Sequence, residues 1–151
     1  MATQLGCSTL AQRTEPALVV RCKAEYLSSD EAAKIGGLPR SGLPTSADMP
    51  GGARTEEFEK VVQKFNSEYN SAFYEVFEPL LHGREFKIRV IATGGIPEPY
   101  DAWTSGLSDG NTAIFFNLDL WTREKLEKQG LALLRHEAAH VLIRELLPEP
   151  G

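Results

Sequence analysis

The stretch from Leu131 to Leu147 constrains this chain more than any other. It is apolar on nearly every side of a helical projection, yet it carries His136, Glu137 and His140 in its middle. At about 100° per residue, His140 lies about 40° round from His136, so both imidazoles share one face. A helix holds that spacing rigidly. Ala132, Leu133, Ala139, Ile143 and Leu147 fall on or beside that face. Leu131, Leu134, Ala138, Val141, Leu142 and Leu146 cover the far side. A helix apolar all round is expected to be buried. Buried polar groups need partners, and two histidines with a glutamate are costly there unless something uses them. A single metal ion satisfies both imidazoles. The plain alternative is a pair of core histidines hydrogen-bonded to loops, with Glu137 paired to an arginine.

His136-Glu137-Ala138-Ala139-His140 reads H-E-x-x-H. Histidines four apart supply two nitrogen ligands for Zn²⁺, and Glu137 projects beside them, placed to take a proton from a metal-activated water. At these residues the chain resembles the zincin superfamily of zinc metallopeptidases, which share His136, Glu137 and His140 as they stand here. The resemblance implies an α+β fold: a zincin-like N-terminal subdomain, in which a long helix and a small twisted sheet pack on a buried H-E-x-x-H helix. It implies Zn²⁺ held by His136 and His140, Glu137 as general base, and hydrolysis of a peptide or protein substrate. It also places the strand just before the motif helix at the border of the cleft. An edge strand offers unpaired N–H and C=O groups to an extended peptide. Ala113, Ile114, Phe115, Phe116 and Asn117 are therefore expected to align the substrate backbone.

The rest of the chain is read against that helix. Residues 1–54 form an irregular N-terminal segment with a short strand at Ala17-Leu18-Val19-Val20 and a short helix from Ser29 or Asp30 to Gly36-Gly37. A turn-rich stretch, residues 36–54, is expected to be an extended or mobile linker. Residues 55–151 are expected to form the α+β domain. Phe58, Val61, Val62, Phe65, Tyr69, Ala72, Phe73, Val76, Phe77 and Leu80 recur at helical period and predict one long helix over 55–82, with its aromatic stripe in the core and Pro79 kinking or ending it near Glu78. Phe86, Ile88, Val90 and Ala92 alternate, which predicts a half-buried strand. The Gly- and Pro-rich residues 94–111, with Tyr100, Asp101 and Trp103, predict a long loop. Thr112 to Leu118 predict a second strand, and Thr122 is a plausible cap for a helix running to about Leu146.

Bulk properties limit the partners. With 151 residues and 42% hydrophobic content, the chain can bury one ordinary core. A net charge of −5 gives no case for nucleic acid. No apolar run reaches the roughly 18–20 residues of a membrane span. Residues 1–24 are a poor secretory signal but share the basic, Ser/Thr-rich composition of an organelle transit peptide. The two cysteines, Cys7 and Cys22, make no disulfide framework, which leans towards a reducing, cytoplasmic setting.

The third zinc ligand is open. Zincins usually take it from downstream of the second histidine, and only eleven residues follow His140. Glu145 lies about 140° round the helix from His140, and Glu149 would have to double back past Pro148. Upstream, His82, Asp101, Asp119, Cys7 and Cys22 are further candidates. The chain is accordingly expected either to be truncated or divergent at this site or to complete a minimal one. The alternative to a peptidase is a non-catalytic zincin-like domain that binds zinc or a protein partner.

Overall fold

In the computed structural model, residues 18–40, 42–67, 71–97 and 99–147 are described. Cys7, Tyr69, Glu149 and the transit-like segment before Leu18 lie outside them. The architecture is α+β, with a four-stranded mixed sheet and helices on both faces. In chain order the main elements are β1 (Val19–Tyr26), α1 (Ser29–Lys34), α2 (Ala53–Ser67), α3 (Ser71–Leu81), β2 (Glu85–Thr93), β3 (Ala102–Gly106), β4 (Thr112–Asn117) and α4 (Leu131–Leu146).

The sheet order is β1-β2-β4-β3, with the first three strands parallel and β3 antiparallel to β4. β2 alternates as its sequence predicts. Phe86, Ile88, Val90 and Ala92 join the main core, which α2, α3 and α4 complete with Phe58, Phe65, Phe77, Leu134 and Leu142. Ile91 faces the other side, where Ala113, Phe115, Leu107 and Ala32 of α1 form a second, smaller core. Trp103 stacks on Phe115 there at 5.4 Å and 6°. Its indole N–H donates to the Gly37 carbonyl at 2.7 Å. Gly37 must be glycine, because a Cβ would stand 2.2 Å from Phe115 Cζ.

Five expectations change. No boundary falls at residue 55, since β1 pairs with β2 along all eight of its residues, and Leu18, Val20 and Cys22 belong to the main core. α1 is capped one residue earlier than expected, by Ser28 in a capping box with Glu31. The linker is pinned where it passes α1: Ser46 N–H donates to Ser29 Oγ at 2.7 Å. The described residues of the expected long helix are helical over α2 and α3, and α3 runs through Pro79 to Leu81. Phe77 and Leu81 of α3 point inward, while Val76 and Leu80, expected in the core, are each 61% exposed.

The fifth change bears on function. The expected loop over residues 94–111 contains β3, which occupies the sheet edge. β4 therefore lies inside the sheet, paired to β2 on one side and β3 on the other. Ala113, Ile114, Phe115, Phe116 and Asn117 are fully buried. Their backbone groups are committed to neighbouring strands, so they cannot align an added peptide. Among the described residues no helix is long and apolar enough to cross a membrane.

Candidate metal centre

The motif helix is reached through two short segments. Thr122 Oγ1 accepts from Lys125 N–H at 3.0 Å and caps one α-turn, Arg123–Lys125. A π-helical segment follows, Leu126–Gly130, and leads directly into α4. The extra residue per turn in a π segment resets the rotation of everything after it. Gly130 is buried where α4 begins, and a Cβ there would stand 2.8 Å from Val61 Cγ2 of α2. The sequence expectation of a helix from Thr122 to about Leu146 has the right extent but not this break in period.

α4 rests on the sheet through Leu134, Ala138, Val141 and Leu142. Glu137 lies at the margin of that contact and is 8% exposed. His136 and His140 lie on the opposite, open face, and Ile143 and Leu147 continue the same exposed stripe. The expectation of buried histidines is thus corrected. The cost of burying them plays no part in the site, since only Glu137 is withdrawn from water.

Geometry carries the metal reading instead. His136 Nε2 and His140 Nε2 are 3.2 Å apart. Two imidazole nitrogens at about 2.0–2.1 Å from a tetrahedral Zn²⁺ stand about 3.3–3.4 Å apart, so the pair matches adjacent ligand positions. A shared proton in an N–H···N hydrogen bond gives the same spacing, and a zinc titration separates the two. Glu137 Oε2 lies 4.0 Å from His136 Nε2. Its other oxygen, Oε1, accepts a 2.6 Å hydrogen bond from Thr104 Oγ1 of β3. The ligand-capable atoms of His136, Glu137 and His140 lie within 4.8 Å of one another.

Among the described residues no further His, Cys, Asp or Glu joins this group. His82 Nδ1 is 2.6 Å from Glu78 Oε1, on its own helix end. Asp119 accepts from Gly95 N–H, and Asp101 accepts from Ala102 N–H and pairs with Lys125 at 3.2 Å. Glu145 lies 3.8 Å from Arg84. Cys22 is in the core, where burial pushes its thiol up to about 12.

Sequence reading missed Thr104 and the edge it sits on. Asn117 N–H donates to the Asp101 carbonyl at 2.8 Å and Leu107 N–H to the Asn111 carbonyl at 2.7 Å. Bonded and non-bonded pairs alternate in an antiparallel ladder. The backbone groups of Trp103 and Ser105 therefore face β4, and those of Thr104 and Gly106 face away from the sheet. One signal was available. Ala113-Ile114-Phe115-Phe116 is a continuous apolar run rather than an alternating one, which marks a strand covered on both faces and hence interior. An interior strand requires a further strand beside it. No family model, curated protein or solved structure matches this chain.

Proposed function

We propose that this chain is a zinc-dependent peptidase of zincin type. The observation that carries the reading is the pair of imidazole nitrogens 3.2 Å apart on an open helix face, beside a carboxylate anchored by Thr104. His136 and His140 would hold Zn²⁺ through Nε2. When bound, zinc would acidify a water and polarise the scissile carbonyl. Glu137 supplies the base. Thr104 engages Oε1, which leaves Oε2 to accept the proton as the water oxygen bonds to the carbonyl carbon. Glu137 then returns that proton to the amine nitrogen as the C–N bond breaks. The outward edge of β3 is the place for an extended peptide, because the backbone groups of Thr104 and Gly106 point outward there, the Gly106 carbonyl accepting just an exposed 3.2 Å bond from Ser105 Oγ, and Thr104 also touches the base.

The experiment is zinc analysis and peptide hydrolysis for wild type and Glu137→Gln. Near-stoichiometric zinc in both and cleavage only by wild type is the expected result. Equal turnover by Glu137→Gln would remove the mechanism. A second reading, a zinc-binding scaffold that does not cleave, is favoured by one observation: no third protein ligand joins the cluster among the described residues. Zinc in the wild type without cleavage of unfolded peptide mixtures would select it.

A further inference from the structure

Resting on the peptidase reading of this site, we propose that Arg144 makes it selective for peptides carrying an aspartate or glutamate. The acidic residue would lie two positions from the residue aligned with Thr104, on the side that runs over Gly106. Arg144 follows Glu137 by seven residues, which is within about 20° of two full helical turns. Both side chains therefore leave α4 on the same side, towards β3. Glu137 meets β3 at Thr104, at 2.6 Å. Arg144 meets it at Gly106, its Nη2 lying 3.5 Å from where a Cβ on Gly106 would stand. Thr104 and Gly106, with Ala102, are the β3 positions whose backbone groups point off the open edge, and the Ala102 N–H is already taken by Asp101 Oδ1 at 2.9 Å. A peptide added there places residues opposite both, two positions or about 6.6 Å apart.

The charge of Arg144 is unspent. Its guanidinium makes no hydrogen bond or ion pair with any described residue. Glu145 shares a cavity of about 560 Å³ with Arg144 but is turned to Arg84, at 3.8 Å. Gly106 has no side chain to cover the edge. A planar guanidinium in that position offers a two-pronged donor to a carboxylate, which a neutral amide isostere cannot match.

The test uses the zinc-loaded Glu137→Gln chain, so binding is read without hydrolysis. The probes are fluorescein-labelled peptides of alanine and leucine with a single glutamate walked along them, and their glutamine counterparts, followed by anisotropy. One position of the walk should bind roughly tenfold tighter with glutamate than with glutamine, the size of one hydrogen bond to a charged group. Adding Arg144→Gln should bring that ratio close to one, and Arg144→Glu should transfer the preference to a lysine peptide. A ratio unchanged by Arg144→Gln, no position with a glutamate preference, or no binding of either series overturns the inference. Hydrolysis by wild type is scored separately. A preference that depends on Arg144 without any cleavage rejects the peptidase chemistry and leaves the carboxylate selectivity standing.

Discussion

Thr104→Val tests how the base is held. The change is nearly isosteric and removes only the hydroxyl that donates to Glu137 Oε1 at 2.6 Å. Glu137 is 8% exposed, so water cannot freely replace that donor. A hydrogen bond to a charged group contributes about 1.5–3 kcal/mol, and its loss leaves a largely buried carboxylate short of a partner. Valine and threonine are both good strand residues, so propensity offsets little. A destabilisation of about 2 kcal/mol is expected. With an m value near 2 kcal/mol/M in urea, the midpoint should fall by about 1 M. A cycle with Glu137→Gln isolates the pair, because the neutral amide is a weaker acceptor. A coupling of about 1 kcal/mol is expected. On the peptidase reading, Thr104→Val should also lower hydrolysis by roughly tenfold or more through misplacement of the base, with zinc affinity unchanged. A variant within about 0.5 kcal/mol of wild type, with an additive cycle, would refute the anchoring role.

Two further predictions concern the frame around the site. Gly37→Ala sets a methyl 2.2 Å from Phe115 Cζ, on a ring clamped by Trp103. It should cost about 3 kcal/mol, the upper end for overpacking, and should alter the near-ultraviolet circular dichroism of Trp103; a neutral effect in urea titration would contradict the packing. Cys22 is displaced upward from its ordinary value of 9.0 to about 12 by burial. The unfolded chain therefore releases this proton first, so its contribution to stability is complete below pH 9 and is lost as pH rises towards 12. Denaturation midpoints of wild type and Cys22→Ala, compared at pH 8 and pH 10, should differ less at the higher value, and native-state labelling of Cys22 by a thiol reagent should be slow.

Much of the frame was legible because local pattern and burial coincide there. The alternation of Phe86, Ile88, Val90 and Ala92 gave β2 its inward face, and the punctuation of Gly36-Gly37 ended α1. The motif helix was legible in extent, from the cap at Thr122 to Leu146. Where reading failed, the deciding contacts are distant in sequence. β3 is five residues long, with little apolar content, and exists because β4 offers it a partner. Val76 and Leu80 continue the helical stripe on paper while their side chains face solvent, because packing and not period decides which side of α3 is covered.

The sequence by itself determined the chemistry of the candidate centre. Histidines four apart on a helix must share a face, and a glutamate one residue on must lie beside them, because the helical repeat leaves no other arrangement. Only the tertiary structure decided what surrounds that chemistry. Which side of α4 meets the sheet depends on the π segment at Leu126–Gly130 and on Gly130 against Val61, and this turned the histidines outward and Glu137 inward. Strand order likewise withdrew Ala113 to Asn117 from any ligand and put Thr104 and Gly106 at the open edge. Those choices rest on packing between segments far apart in the chain, and such contacts leave no period in the sequence.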